Sequence, residues 1–325
     1  MSSTGATRAR PRIGGLEAII IGTLVVVVGQ RWIAGAFESP AWQAGATVFV
    51  SIVVQAFPFL VLGVVLSAAV AAYVPASFFA RALPRRPALA VPVAGVAGAA
   101  IPGCECASVP VAGSLMARGV APAAALAFLL SSPAINPIVL VSTYVAFPGQ
   151  PSMVLARLLA SAATAMIMGW LWLRFGKGEW LRIPSRDHLE GDTRLQTFRQ
   201  VAMHDFLHAG GFLVIGGLTA AVLNVVVPTA WLDVLADNPV LSVLALAGLA
   251  VVLSICSEAD AFVAASLNQF SPTAQLAFMV VGPMIDLKLF ALQAGTFGRR
   301  FAVRFAPTTF VVAVLMAGAV GWWLL

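Results

Sequence analysis

The chain is a succession of nine charge-poor apolar stretches, near residues 14–29, 43–72, 88–117, 119–147, 151–173, 206–232, 239–270, 272–298 and 305–325. Only residues 174–205 form a polar connection of any length. A helix needs about 20 apolar residues to cross a bilayer, so a chain that repeats such runs has little left from which to build a water-soluble domain. Composition agrees: 60% of the 325 residues are hydrophobic and 10% charged, against roughly 25% charged in soluble proteins, and the mean hydropathy is +0.96. These figures predict an all-α polytopic protein of the lipid bilayer. They exclude soluble enzymes and nucleic-acid-binding modules. The net charge of +6 is no phosphate-binding patch, because Arg and Lys cluster in the connections, where they act as topology signals. Three cysteines, all within apolar stretches, cannot make a disulfide framework, and no motif calls for a cofactor.

Loop charge also tests how often each stretch crosses. Cations gather at Arg8, Arg10 and Arg12; at Arg81, Arg85 and Arg86; at Arg118; between Arg174 and Arg199; and at Arg299, Arg300 and Arg304. Connections near 37–42, 148–150, 228–238 and 270–271 contain no Arg or Lys. If every stretch crossed once from a cytoplasmic amino terminus, Arg118 and the cation-rich 174–205 segment would both face outside. The conflict disappears if 88–117 and 239–270 each enter and return on one side. Both are interrupted by polar residues, at Pro102-Gly-Cys-Glu-Cys-Ala-Ser-Val-Pro110 and Cys256-Ser-Glu-Ala-Asp260. The arms 88–101 and 107–117 would reach about 21 and 16 Å, short of a ~30 Å hydrocarbon core. Two re-entrant helical hairpins are therefore expected.

The two interrupted regions match each other. At an offset of 150, Pro122, Leu126, Ala127, Phe128, Pro133 and Ile135 recur as Pro272, Leu276, Ala277, Phe278, Pro283 and Ile285, and Asn136 falls on Asp286. At an offset of 152, Cys104, Ala112, Ser114 and Leu115 recur as Cys256, Ala264, Ser266 and Leu267. With one hairpin entering from each side, the sequence predicts an inverted repeat with discontinuous helices, the architecture of secondary transporters. The expected division is a cytoplasmic tail and extra first helix (1–42), repeat 1 (43–175), a cytoplasmic linker (176–205) and repeat 2 (206–325).

Glu105, Glu258, Asp260, Asp286 and Lys288 lie inside these stretches, where ionisable groups are costly unless paired or facing water and are functional by default. Proton or ion coupling is the expected role of the five. Capping of hairpin amides is the structural alternative for Glu105 and Glu258, as a buried pair is for Asp286 and Lys288. Asn136 supplies a neutral dipole beside Pro133 and Pro137, where freed carbonyls could coordinate a cation. Cys104 and Cys106 have a spacing that can aim two sulfurs at one ion, and Cys256 could be a third. Three thiolates suit a soft metal or a trivalent metalloid, although Cys also serves as a small residue at close packing. Substrate-binding candidates are thus Cys104, Glu105, Cys106, Cys256, Glu258 and Asn136. His204 and His208 have i, i+4 spacing near the interface, where a solvated face is expected. Arg157 is expected to snorkel outward without a role. Leu195, Phe198 and Val201 are spaced for an amphipathic approach to the following span.

The motifs at 102–110, 131–137 (Ser-Ser-Pro-Ala-Ile-Asn-Pro), 256–260 and 282–288 (Gly-Pro-Met-Ile-Asp-Leu-Lys) resemble those of the ArsP/YraQ-type bacterial predicted-permease family. The resemblance runs from about residue 45 to the end. It implies a multi-pass permease of the bacterial cytoplasmic membrane, not an enzyme, and members similar to ArsP export trivalent organoarsenicals. Carried over, Cys104, Cys106 and Cys256 would hold the arsenic. The leading expectation is a proton-coupled exporter of a soft, thiol-reactive solute. A divalent-cation permease using the carboxylates, a membrane thiol oxidoreductase using Cys104 and Cys106, and a structural subunit are the alternatives. The partners expected are the solute and the bilayer, with no nucleic acid and with room for a homo-oligomer.

Overall fold

A computed structural model describes residues 39–74, 78, 83–84, 86–99, 105–183, 193–226 and 238–325. The amino-terminal tail with its apolar stretch, the tip carrying Cys104, residues 184–192 of the polar connection and most of the 228–238 connection lie outside the described residues. The described elements are helical: α1 (Pro40–Tyr73), α2 (Pro87–Ala99), α3 (Glu105–Ala117), α4 (Pro122–Ile135), α5 (Pro137–Ala146), α6 (Pro151–Phe175), a 3-10 turn (Gly178–Trp180), α7 (Arg194–Val226), α8 (Pro239–Leu253), α9 (Asp260–Ser266), α10 (Pro272–Val281), α11 (Leu287–Phe297) and α12 (Arg299–Leu324). Seven of them open on proline, whose fixed φ and missing N–H suit the first helical position. The chain divides into two compact units, residues 1–47 and 48–325. The described part of the first is the opening of α1, where Thr47 Oγ1 donates to the Gln43 carbonyl at 2.7 Å.

Five helical segments are long and apolar enough to cross a membrane: Pro40–Tyr73, Pro122–Ala146, Pro151–Phe175, Arg194–Val222 and Arg299–Leu324. The chain is accordingly a multi-pass membrane protein. The helices α2, α3, α8 and α9 are too short to cross alone; α2 at 13 residues is about 20 Å long. Read in order, α1 to α6 and α7 to α12 follow one pattern: a long helix, two short ones, a helix broken in the middle, and a long helix. Packing follows the same pattern, since α2 and α3 both lie on α4 while α8 and α9 both lie on α10.

The breaks have local causes. Pro137 forces Asn136 out of the helical region, to φ −70° and ψ 157°. Pro283 follows the end of α10, and Asp286 is extended, at φ −142° and ψ 179°. The two broken helices supply the centre: every residue from Ala123 to Ile135 and from Ala274 to Val281 is buried, as expected of a helix apolar all round. The long helices instead show one face outward, with Val50, Val54, Leu218, Val222, Val311 and Leu315 exposed. Proline inside α2 has a partner consequence: Pro92 cannot donate to the Ala88 carbonyl, and the Trp170 indole donates to it instead at 3.0 Å, tying α6 to α2.

The amphipathic approach expected before residue 206 is the first part of α7, which runs unbroken from Arg194. Val201 is buried against Ala68 and Ala71, and the Phe198 ring lies 6.3 Å from that of Tyr73.

Candidate functional site

Three breaks in the helical chain converge. The first turn of α3 brings Glu105 and Cys106, the α8–α9 connection brings Cys256, Ser257 and Glu258 up to Asp260, and the start of α11 brings Asp286 and Lys288. Glu105, Asp260, Asp286 and Lys288 are all fully buried, and both described thiols are buried and free of disulfides. Lys288 Nζ lies 2.5 Å from Glu105 Oε1 and 3.5 Å from Asp286 Oδ2. The first contact is close but not aligned as a hydrogen bond, since Glu105 Oε1 has no hydrogen-bonded partner, so proximity of opposite charge holds it. Cys106 and Cys256 both lie within electrostatic reach of Lys288, and Glu105 and Glu258 within reach of Asp260. The residues singled out in the sequence at 105–106, 256–260 and 286–288 thus form one cluster.

Arg157 corrects the sequence reading. It does not snorkel outward; it is fully buried on α6, its guanidinium donating to Asp260 Oδ2 at 2.7 Å, to the Ser257 carbonyl at 3.2 Å and to Thr143 Oγ1 at 2.8 Å. The two helices that supply its side-chain partners, α5 and α9, also pack on each other. The overlooked signal was spacing: Arg157, Ser161, Thr164 and Met168 recur at helical period and are all buried, marking the inward face of α6.

The two ion pairs are reciprocal. Glu105 opens α3 in the first run of helices and pairs with Lys288 of the second; Asp260 opens α9 in the second run and pairs with Arg157 of the first. Contacts α3–α11 and α9–α5 correspond in the same way. An acid in the first turn of a helix also meets the positive end of its dipole. Glycines set the spacing, because a Cβ on Gly216 of α7 would stand 2.5 Å from the Lys288 Cα, and one on Gly63 of α1 would overlap the Ala107 backbone. Long helices therefore approach the backbones that carry Lys288 and Glu105 without any intervening side chain.

Asn136 and Asp286, matched between the two halves of the sequence, do the same local work. Asn136 Oδ1 accepts from Val139 N–H at 3.0 Å and Asp286 Oδ1 from Leu289 N–H at 2.6 Å, each capping the second half of a broken helix. The Asn136 amide also donates to the Ser132 carbonyl at 3.0 Å. Asp286 adds its charge to Lys288, so it is both cap and ion-pair partner. Glu258 is only partly buried, and the Cys256 thiol donates to its Oε2. Glu258 Oε1, Asp260 Oδ1, Ser257 Oγ and Ser161 Oγ are buried without a hydrogen-bond partner among the described residues. Four carboxylates thus face two cations. Among the described residues no three His, Cys, Asp or Glu side chains are placed to hold a metal ion, and Cys104 lies outside them.

A second polar seam runs beside the cluster. Ser67 Oγ lies 2.7 Å from Asp205 Oδ2 and 3.0 Å from the Pro110 carbonyl, and Ser114 Oγ donates to the Ser67 carbonyl at 2.8 Å, joining α1, α3 and α7. His204 Nδ1 is 3.4 Å from Asp205 Oδ1, and the His204 ring stacks on that of His208. His208 Nε2 donates to the Gly295 carbonyl at 3.0 Å, so this nitrogen carries the proton.

A polytopic helical chain built of two matching runs, with buried charges gathered at its helix breaks, has the form of a membrane permease. Residues 41–321 match the model of the predicted-permease family ArsP_1, and the chain belongs to that family. It is 37% identical over 280 residues to the UPF0718 protein YcgR of Bacillus subtilis, covering 84% of this chain and 95% of that one. It is 30% identical over 283 residues to a putative two-component membrane permease complex subunit of Streptococcus mutans, covering 84% and 94%. These names point to transport rather than catalysis. No solved structure matches the chain.

Proposed function

We propose that the protein is a secondary permease of the bacterial cytoplasmic membrane, with a cytoplasmic amino terminus, that exports a soft, thiol-reactive solute such as a trivalent organoarsenical in exchange for protons. The observation that carries this reading is the Cys256–Glu258 contact beside Lys288, within whose electrostatic reach Cys106 also lies. A thiol that already donates to a carboxylate has a base at hand. When sulfur bonds to the metalloid of a hydroxy-arsenical, Glu258 takes the thiol proton and gives it to the departing hydroxide, which leaves as water.

The two matching runs of helices serve as inverted repeats, near 43–175 and 206–325, with α2–α3 and α8–α9 as re-entrant hairpins. Alternating access then moves one run against the other, and the two cross-run ion pairs are the contacts that must break and re-form. Four carboxylates against two cations leave acid groups that a proton can neutralise as the site empties. The same excess of carboxylates favours a second reading, a divalent-cation permease, in which the oxygens rather than the sulfurs bind. The Streptococcus relative's name further suggests that a second membrane subunit joins this one in a complex.

Accumulation of methylarsenite in everted vesicles under an imposed proton gradient tests the proposal. Loss of accumulation in Cys256→Ser, Cys104→Ser and Glu258→Gln supports it. No accumulation of methylarsenite, with gradient-driven accumulation of a divalent cation that survives in both cysteine variants and is lost in Glu105→Gln and Glu258→Gln, would instead favour the cation reading.

A further inference from the structure

Away from the buried cluster, the end of α6 and the start of α12 enclose a crevice of about 280 Å³. Its walls are apolar, formed by Met168, Leu171, Trp172, Phe175 and Phe305, and Arg304 and Trp180 stand among its lining residues. Two of the wall residues rest on Phe301, Trp172 edge-on with ring centroids 5.4 Å apart and Phe305 stacked at 4.7 Å. Arg304 lies 4.7 Å over the Trp180 ring and Lys177 Nζ 5.7 Å from the same ring. The backbone closes the assembly, because Arg182 N–H donates to the Phe297 carbonyl at 2.9 Å and so draws the 3-10 turn onto the start of α12.

The charge here is one-sided. Arg174, Lys177, Arg182, Arg299, Arg300 and Arg304 are all exposed, and among the described residues of these two segments Glu179 is the one acid. No ion pair among the described residues involves any of the six cations. Two of them are held over an indole ring, which fixes their position and leaves their charge uncompensated. An aliphatic and aromatic slot in a membrane-spanning bundle, ending at a collar of cations with no ion-pair partner among the described residues, is complementary to an amphiphile with an anionic head. Free phosphate or a soluble phosphate ester would leave the apolar slot unfilled.

We propose that this crevice binds an anionic phospholipid, with its headgroup phosphate among Arg304, Lys177 and Arg182 and the upper part of an acyl chain against Trp172 and Phe305. The site belongs to the bilayer-facing surface, and its occupancy is independent of what the buried cluster transports.

Native mass spectrometry of the detergent-purified protein, with added phosphatidylglycerol or phosphatidylcholine, tests the assignment. Phosphatidylglycerol should be retained in preference, and glycerol 3-phosphate should not displace it. A surface cation contributes about fivefold to binding of an anionic lipid, so Lys177→Ala/Arg304→Ala should cut the preference by roughly 25-fold, while Arg304→Lys keeps most of it. Arg86→Ala/Arg118→Ala, which removes one exposed and one half-buried cation elsewhere, should leave it unchanged. Equal retention of both lipids, or equal loss in the Arg86/Arg118 variant, would overturn the proposal. So would displacement by glycerol 3-phosphate, or a dimer that disappears in the Lys177/Arg304 variant while lipid retention is untouched. Helical content by circular dichroism identifies any variant that has failed to fold, and Arg304→Gln then replaces it.

Discussion

Lys288 stands between two carboxylates, 2.5 Å from Glu105 of the first run of helices and 3.5 Å from Asp286, two residues before it in the chain. Removing the cation leaves two buried acids without compensation, and breaking a buried pair from one side costs about 3–5 kcal/mol. Lys288→Met should therefore lower the apparent unfolding temperature in detergent sharply. Glu105→Gln/Lys288→Met should recover part of the loss, because the neutral pair no longer carries an uncompensated charge. A double variant no more stable than Lys288→Met would show that the contact contributes nothing as a pair.

Arg157 spans three acceptors on α5, α9 and the connection before α9, namely Thr143 Oγ1, Asp260 Oδ2 and the Ser257 carbonyl. Lys places three donors on one point and cannot reach this spread of acceptors in one geometry. Arg157→Lys should accordingly behave more like Arg157→Leu than like the unmodified protein, with thermal stability and assembly of the two runs both impaired. Near-normal stability of Arg157→Lys would mean that charge alone matters at this position.

Much of this cluster could be read from the sequence, and its one major omission has a physical reason. Hydropathy and loop charge located the interrupted stretches because unsatisfied polar groups are so costly in lipid that Glu105, Glu258, Asp260, Asp286 and Lys288 stand out against their neighbours. Pro137 and Pro283 marked the helix breaks. Pairing was another matter, since which acid meets which cation depends on helices that are distant in the chain. Lys288 was matched with its neighbour Asp286, whereas Glu105 lies closer. Arg157 sits near the end of its span, where snorkelling is the ordinary solution, and the carboxylate that holds it inward, Asp260, lies on a helix distant in the chain.

Asn136 and Asp286 allow cap and charge to be separated. Both side chains accept from a backbone N–H three residues on, and loss of such a cap costs about 1 kcal/mol. Asn136→Ala should lower thermal stability by that modest amount, and Asn136→Asp should keep the cap while adding a buried charge. Asp286→Asn should keep the cap and remove a charge, so any transport defect it shows beyond that of Asn136→Ala reports on the ion pair with Lys288. Equal stability of Asn136→Ala and the unmodified protein would deny the cap its role.

Gly216 and Gly63 test the close approach that positions the two paired residues. A Cβ on Gly216 would stand 2.5 Å from the Lys288 Cα, well inside van der Waals contact, and the obstacle is backbone rather than a movable side chain. Gly216→Val should push α7 away from α11 and destabilise by about 1–3 kcal/mol, the usual cost of overpacking. Gly211→Val on the same helix meets nothing within 4 Å and isolates the effect of helix propensity. Similar losses in the two variants would remove the steric argument.

The Ser67–Asp205 seam ties α1 and α7 to α3, the helix that carries Glu105 and Cys106. The Ser67 hydroxyl has one proton and two acceptors within reach, at 2.7 Å on Asp205 and 3.0 Å on Pro110, so loss of the carboxylate leaves it bound to the α3 carbonyl. A hydrogen bond to a charged group contributes about 1.5–3 kcal/mol. Ser67→Ala, which leaves a buried carboxylate with one donor fewer, should thus destabilise more than Asp205→Ala, after which Ser67 still has the Pro110 carbonyl. The two changes should be non-additive, because each breaks the same contact. A double-mutant cycle on thermal stability in detergent reads this directly. A coupling close to zero would mean that the Ser67–Asp205 contact contributes nothing, and that α3, at whose head the ion pair with Lys288 is made, is tied to α1 by its own hydrogen bonds to Ser67 without help from α7.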